Sequence, residues 1–552
     1  MYVIGISAYY HDSSVSLFKN GTLIFACEEE KFTGIKHDSS FPHNALKYVY
    51  DRYEIKKNEI DAVCYYENPN LKLERVIKNI KKNFYKSPIY SITSYFQIKK
   101  TIKKIDENLR KISDNIFYSE HHLSHQYYSF FSSEFNNGIC LSIDGVGEFD
   151  TTGMGFADRG GIVYQSISKY PHSLGLFYSA MTSFLGFKPN EGEYKVMGLA
   201  SYGNSSRYID KVRKLIKFDD YQLKCDLKIF CWDRSNTTMF TSKLAKHLNL
   251  DQRLPGDKIT KHHEDLAAAV QKRYEEILFD IITSNDLKGS NLCLSGGSAY
   301  NGTANGKLVK ALKLKDLWIP LAPSDAGSSI GACVHYLKTH SELNIVIPKN
   351  PFLGPDYDYT NYIQTIDKTK IKKFDENDLI DYVAKQLNDG RIIGWYQGRC
   401  EFGARALGNR SILANPMIKG MRDKINDVIK KRERFRPFAP MVTKDKQHEY
   451  FFIQNDIPYM NQVVQVKSKY KKILSEITHV DGSARVQTLL YPNSKIYRLV
   501  KKFETFSDHP VLLNTSFNIK DKTIVLTPQD AIETFYNTEL DILVIGNYVI
   551  TK

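Results

Sequence analysis

No apolar run in this 552-residue chain approaches the roughly 18 consecutive residues that a membrane-crossing helix needs, so a membrane-crossing helix is excluded. None of the eight cysteines (Cys27, Cys64, Cys140, Cys225, Cys231, Cys293, Cys333 and Cys400) forms a C-x-x-C pair, which excludes the common zinc-finger arrangements. Several sit inside apolar runs, so buried free thiols in a reducing cytoplasm are expected. The start, M-Y-V-I-G-I-S-A, lacks a basic region and a small-residue cleavage site; no signal peptide is expected, and the chain is read as cytoplasmic. The glycine-rich loop S-G-G-S-A-Y-N-G, residues 295–302, lacks the lysine of a phosphate-binding P-loop.

What is present is globular in character. A hydrophobic share of 42% with 25% charged residues suits two or three domains with substantial cores. The net charge of +14 has three readings: nucleic acid, phosphate-bearing small substrates, or a bias towards Lys throughout. Much of the excess lies between Lys72 and Lys111. There Ile98, Ile102, Ile105 and Leu109 recur at helical spacing, which describes a solvated amphipathic helix as well as a binding surface. No stable nucleic-acid partner is expected, and a homodimer is left open.

The densest chemistry lies between Ser119 and Asp150. In a helix, His121 and His125 stand one turn apart on one face and can converge on a single metal ion. Asp144 follows the apolar run Gly138–Ile143, and the glycines of D-G-V-G, Gly145 and Gly147, leave backbone N–H groups open to a phosphate. Asp325, in a polar turn before a small-residue helix start, is the natural fourth ligand. The opening stretch reads as two strands joined by a polar turn carrying His11 and Asp12, then a hairpin at Asn20-Gly21. A charged cluster at Lys36, His37 and Asp38 precedes a helix that Ser39 or Ser40 is expected to cap. Gly296, Gly297 and Asn301, between a strand and a helix, suit an adenosine contact.

A Pro- and Gly-rich stretch around residues 339–360 reads as a linker and divides the chain into 1–348 and 349–552. The second part carries Arg399, Arg405, Arg410, Arg436 and Arg485 beside glycines and aromatics, with Asn514, Thr515 and Ser516 following the apolar run V-L-L and Lys520 close behind. Planar guanidinium forks beside small residues suit phosphate or carboxylate recognition.

Taken in order, G-I-S-A-Y-Y-H-D-S-S, I-K-H-D, E-H-H-L-S-H, S-I-D-G-V-G-E, K-V-M-G-L-A-S-Y-G, S-G-G-S-A-Y-N-G, D-A-G-S-S-I-G-A, G-A-R-A-L-G-N-R-S-I-L-A, R-E-R-F-R-P-F-A-P, H-V-D-G-S-A-R and N-T-S-F-N make the chain resemble, nearly end to end, the O-carbamoyltransferases of the nodulation-protein and tobramycin carbamoyltransferase type. The resemblance implies an α/β protein. Its first domain would be Kae1-like, of the actin-like ATPase (duplicated RNase H-like) type, and its second a YrdC-like α/β domain that forms carbamoyladenylate. It implies carbamoyl phosphate and ATP as co-substrates and a hydroxyl of a sugar or natural product as acceptor. Carried onto this chain, His121, His125, Asp144 and Asp325 match the metal ligands, with iron first and manganese, zinc and magnesium as alternatives. His11 and Lys36 match polar groups of the transfer site, with Asp12 beside them, and Arg405 and Arg485 match carbamoyl phosphate contacts. Departures stand at Ala404, where the family has Pro, at Gln126, where it has Ala, and at Ser298 and Tyr300 within S-A-Y-N. A further one is Lys520, which keeps the charge of an arginine without its bidentate fork. Two other readings remain: a tRNA threonylcarbamoyladenosine-type enzyme, and a non-enzymatic nucleotide-dependent binding protein of the actin-like class.

Overall fold

The opening stretch folds as two strands joined by a polar turn and followed by a hairpin, with β1 (Tyr2–Ser7), the polar turn, β2 (Ser14–Lys19), the Asn20-Gly21 turn and β3 (Thr22–Glu28). Asn20 and Gly21 both take the positive φ that a two-residue hairpin turn demands. The computed structural model describes residues 1–431 and 436–552; Arg432, Glu433, Arg434 and Phe435 of the R-E-R-F motif lie outside the described residues. Two units emerge, one of Met1–Ile24 with Ser39–Pro348, the other of Phe25–Asp38 with Lys349–Lys552. The segment bearing Lys36 thus belongs to the second unit, and His11 to the first.

The first unit is built on a repeated sheet. In one copy β1 pairs antiparallel with β2 and parallel with β4 (Ile60–Tyr65), which pairs parallel with β5 (Ile116–Tyr118). In the other, β6 (Asn137–Ile143) pairs antiparallel with β7 (Asp150–Asp158) and parallel with β9 (Asn291–Ser295), and β9 pairs parallel with β10 (Asp316–Trp318). β8 (Gly161–Lys169) extends β7, as β3 extends β2. Both sheets therefore read 3-2-1-4-5 in their own strand order. The turn after β1, with His11 and Asp12, is the topological equivalent of the turn after β6, with Asp144, Gly145 and Gly147.

Helices α1 (Pro69–Asn83) and α2 (Pro88–Ile112) form a hairpin between β4 and β5, and α3 (His121–Phe131) links the two sheets. All of α3 except Leu123 is buried. α4 (Asp325–His340) packs along it, and the crossing is tight at Gly331, where an added Cβ would lie 1.7 Å from the Ser124 carbonyl oxygen. Expected capping fails in one place. The helix His43–Tyr53 has Pro42, not Ser39 or Ser40, at its N-cap position, and proline has no side-chain oxygen with which to cap it.

The second unit holds an eight-stranded mixed sheet of β11 (Ile371–Lys373), β12 (Ile393–Tyr396), β13 (Arg410–Ala414), β14 (Ala439–Thr443), β15 (Gln487–Leu489), β16 (Val511–Ser516), β17 (Ile542–Ile545) and β18 (Tyr548–Thr551), in the order 11-18-17-12-13-16-14-15. Alternate residues face opposite cores: Ile393, Trp395, Leu413 and Val544 meet α5 (Glu376–Asn388) and α6 (Lys495–Ser507), while Tyr396, Ile412, Leu543 and Ile545 face the other side. All eight cysteines are free and buried, as expected. No described helix is long and apolar enough to cross a membrane.

Candidate functional site

The helical spacing of His121 and His125 on α3 turns both imidazoles towards Asp144 at the end of β6 and Asp325 at the first turn of α4. His125 Nε2 lies 3.0 Å from Asp144 Oδ2, 3.2 Å from His121 Nε2 and 3.4 Å from Asp325 Oδ1. His121 Nε2 lies 3.2 Å from Asp144 Oδ2 and 3.8 Å from Asp325 Oδ1. Donors around one ion with bonds of about 2.0–2.2 Å stand roughly 2.8–3.6 Å apart in a tetrahedral or octahedral shell, so most of these separations suit shared ligation. All four side chains are buried.

Hydrogen bonding supports a cation here. Both carboxylate oxygens of Asp325 are buried without a hydrogen-bond donor among the described residues, as is Nδ1 of His121. A buried carboxylate left so is costly unless a positive charge compensates it. Ser328 Oγ meets Nδ1 of His125 at 3.0 Å, which orients the ring and aims Nε2 into the cluster. The His121 and Asn68 N–H groups donate to the Glu148 carboxylate, and burial pushes that carboxyl up to about 7. The third histidine of E-H-H-L-S-H serves differently. Burial and then the charges of His121 and His125 hold His122 down at about 3, and its two ring nitrogens meet Ser142 Oγ and the Asp150 carbonyl oxygen.

Without a cation, protons take its place. Burial disfavours a charged His121, yet Asp325 and Asp144 raise it to about 9. His11 behaves likewise: burial opposes its charge, but Asp325, then the hydrogen bond and charge of Asp12, raise it to about 10. Its Nε2 stands 3.9 Å from Asp325 Oδ2 and its Nδ1 3.1 Å from Asp12 Oδ2. Burial also opposes the Asp144 anion, but the hydrogen bonds of His121 and His125 outweigh it and hold Asp144 well below the carboxylate range.

Two glycine turns border the cluster. Gly147 lies against the His121 ring, and a Cβ on Gly297 would stand 3.3 Å from Asp144 Oδ1. Gly296 has φ +86° and lies against the Ile143 carbonyl, so the S-G-G turn is laid onto the end of β6 where no side chain fits. Gly145 faces the Tyr10 hydroxyl. Asn301 caps the helix Gly302–Leu312 through the Ala304 N–H and exchanges hydrogen bonds with Gln271, so its side chain is occupied in the fold.

In the second unit the register gathers the arginines. β13 begins at Arg410, β14 at Ala439 and β15 at Gln487, while β12 ends at Tyr396 and β16 at Ser516; the pairings put these termini at one end of the sheet. Arg399 and Arg405 lie in the loop after β12, Arg436 just before β14, Arg485 just before β15, and Lys520, exposed, just after β16. Asn514, Thr515 and Ser516 lie within β16 itself, since the strand runs past V-L-L. Arg410 is wholly buried: its guanidinium donates to the Gln397 and Gly398 carbonyls and stacks 3.6 Å over the Tyr396 ring, a bracing position. Arg399 donates to the Gly354 and Leu353 carbonyls. Asn514 donates to the Ala406 carbonyl and to Gln487.

Two buried charges at this end escape sequence reasoning. Glu401 Oε1 accepts from the N–H groups of Leu407, Asn409 and Arg410 and so ties down the loop that carries Arg405. The Lys430 ammonium donates to Ser516 and Asn518. Glu401 lies between Gly398 and Gly403 in the arginine-bearing stretch, but its partners are backbone N–H groups that only the folded loop brings together, and Lys430 stands outside any such pattern.

A family model described as "Carbamoyltransferase N-terminus" matches residues 2–334, and one described as "Carbamoyltransferase C-terminus" matches 384–552. An uncharacterized protein of Synechocystis is 35% identical, covering 100% of this chain and 97% of its own. Nodulation protein NolNO of Sinorhizobium fredii is 33% identical over 99% of this chain and 80% of its own. Among solved structures, (R)-2-hydroxyglutaryl-CoA dehydratase component A of Acidaminococcus fermentans is 13% identical with a TM-score of 0.33, covering 61% of this chain and 97% of that one.

Proposed function

The chain belongs to the carbamoyltransferase family, and on that premise we propose that it is an ATP-dependent O-carbamoyltransferase acting on a hydroxyl of a sugar or natural product. The observation that carries the reading is the buried His121, His125, Asp144 and Asp325 cluster beside His11, set between two equivalent sheets. Repetition of one strand order in two sheets supports the actin-like (duplicated RNase H-like) assignment for the first unit. A YrdC-like role for the second rests on its arginine-rich sheet end and on the family resemblance.

In the second unit, Arg405, Arg436 and Arg485 neutralise the phosphates of carbamoyl phosphate and ATP, with Glu401 and Arg410 holding the loop in place and Lys520 at the rim. Carbamoyl phosphate loses its phosphate to water, the resulting carbamate oxygen bonds to the α-phosphorus of ATP, and pyrophosphate leaves. The carbamoyladenylate so formed is a mixed anhydride open to hydrolysis, which favours its use without release.

In the first unit, Gly145, Gly147, Gly296 and Gly297 offer backbone approach to the adenylate. His121, His125, Asp144 and Asp325 would hold a divalent cation, and a mixed imidazole and carboxylate set suits iron, manganese or zinc better than magnesium. When bound, the cation supplies the positive charge that otherwise arrives as protons on His11 and His121, and with it polarisation of a phosphate or carbamoyl oxygen. His11, oriented by Asp12, takes the acceptor hydroxyl's proton as that oxygen bonds to the carbamoyl carbon and AMP departs.

Incubation with carbamoyl phosphate and ATP tests the reading. Pyrophosphate release, with carbamoylated product once an acceptor is supplied, is the expected result. Absence of pyrophosphate with metal and a panel of hydroxyl acceptors present would overturn it.

A further inference from the structure

The hairpin of α1 and α2 carries an apolar face that the carbamoyl-transfer reading leaves without a task. α2 buries Ser91, Ile98, Ile105 and Leu109 against the first unit, as its helical period dictates. On its outer side Ile89, Ile92 and Phe96 repeat at the same spacing and point to water, continued backwards by Tyr85 in the hairpin turn. Tyr85 is 98% exposed, Ile89 79% and Phe96 66%. Single exposed apolar residues are ordinary, but a contiguous stripe of this size marks an interaction surface.

Charge says what covers it. From Arg75 to Ile105 the chain has nine Lys or Arg residues and no Asp or Glu. Lys81, Lys82 and Lys86 ring the apolar tip, and Lys99, Lys100 and Lys103 prolong the same outer face of α2; the six are exposed. A second copy of this chain would bring lysine against lysine across a twofold axis, which argues against self-association. Nucleic acid would meet the lysines, but branched aliphatic side chains such as Ile89 and Ile92 offer no flat face for a base. An anionic lipid surface satisfies both halves: the apolar stripe enters the boundary between headgroups and acyl chains while the ammonium groups meet lipid phosphates on flexible stems.

We propose that the α1–α2 hairpin is a peripheral membrane-docking element that holds the enzyme against an anionic bilayer surface through Tyr85, Ile89, Ile92 and Phe96 and the lysines around them. The interaction is interfacial; no segment inserts across the bilayer.

Co-sedimentation of the full chain with lipid vesicles tests this. With vesicles of phosphatidylcholine and phosphatidylglycerol in a two-to-one ratio, the bound fraction should rise at least tenfold over phosphatidylcholine alone and fall with added salt. The variant Tyr85→Ser/Ile89→Ser/Phe96→Ser, in which only exposed side chains change, should lose that binding while keeping the wild-type melting temperature. A charge variant, Lys81→Gln/Lys82→Gln/Lys86→Gln, should lose the preference for phosphatidylglycerol. No sedimentation of the wild-type chain, or equal sedimentation of the apolar variant, would overturn the proposal. So would a dimer in light scattering that the apolar variant dissolves, or lysine-dependent capture of an oligonucleotide that leaves vesicle binding untouched by the apolar variant.

Discussion

The Nε2 atoms of His121 and His125 face each other across 3.2 Å, each also near Asp144 Oδ2, so two imidazoles point their ligating nitrogens at one spot rather than at separate partners. Only a shared proton or a shared cation makes that geometry favourable. Purified protein is therefore expected to bind one divalent ion per chain, read by elemental analysis, and Asp325→Asn to abolish it. Ser328→Ala, which removes the hydrogen bond at His125 Nδ1, should weaken metal affinity about 10-fold to 100-fold without changing stoichiometry. Full occupancy in Asp325→Asn would remove Asp325 from the ligand set.

Metal should also appear as stability. A ligand of the native state present at about 100 times its dissociation constant adds about 2.7 kcal/mol, so chelation should lower the melting temperature of the wild-type chain. The Asp325→Asn protein should melt at the same temperature with and without chelator. A chelator effect of equal size in both would place the ion elsewhere.

Gly331 lets α4 approach α3 closely enough for Asp325 to reach His125. A Cβ there would meet the Ser124 carbonyl oxygen at 1.7 Å, a contact with backbone that cannot swing aside. Gly331→Ala should therefore part the helices, costing about 1–3 kcal/mol as overpacking does, and should weaken metal binding although residue 331 touches no ligand. Urea unfolding and metal titration on the same variant check both; unchanged metal affinity with lowered stability would uncouple helix packing from the site.

In the second unit the Glu401 carboxylate holds three backbone N–H groups of the Arg405 loop. Glu401→Gln keeps the shape and removes the charge, with an expected loss of about 1–3 kcal/mol. If the loop grips carbamoyl phosphate, KM for carbamoyl phosphate in pyrophosphate release should rise more than kcat falls. A stability loss with unaltered kinetics would restrict Glu401 to scaffolding.

How much of this was legible beforehand depended on whether the signal was local. The i, i+4 histidines, the apolar strand before Asp144 and the Asn20-Gly21 hairpin follow from short-range periodicity and turn chemistry, and the structure has them. Asp325 was reachable because its polar turn repeats the pattern of strand, turn and small-residue helix. The repeated 3-2-1-4-5 sheets were not read from spacing, since strand order is a long-range property that only the resemblance implied. Glu401, Lys430 and Ser328 were invisible because their partners are backbone groups or side chains brought near by the fold. Arg410 looked like its neighbours in sequence; only burial among the Gln397 and Gly398 carbonyls sets it apart. Ser39 and Ser40 were misplaced as N-cap because the helix begins two or three residues further on, with Pro42 in that position.

His335 gives a pH dependence away from the metal cluster. On α4 it stacks 4.5 Å from the Tyr127 ring and meets Ser119 Oγ at 2.9 Å. Burial first, and then the charge of His340, hold its pKa down at about 4. In the unfolded chain the same imidazole titrates near pH 6.5. Above that value both states are neutral and His335 contributes no pH dependence. As pH falls below about 6.5 the unfolded chain takes up the proton first, so stability drops until the folded state also protonates near pH 4. A tenfold difference in proton affinity between the two states is worth about 1.4 kcal/mol, so the whole decline amounts to a few kcal/mol at most. His335→Gln, which can still hydrogen-bond to Ser119, should flatten the decline in unfolding free energy between pH about 6.5 and 4, measured by urea titration at each pH. Identical slopes for variant and wild type would mean that His335 opens to solvent before it titrates.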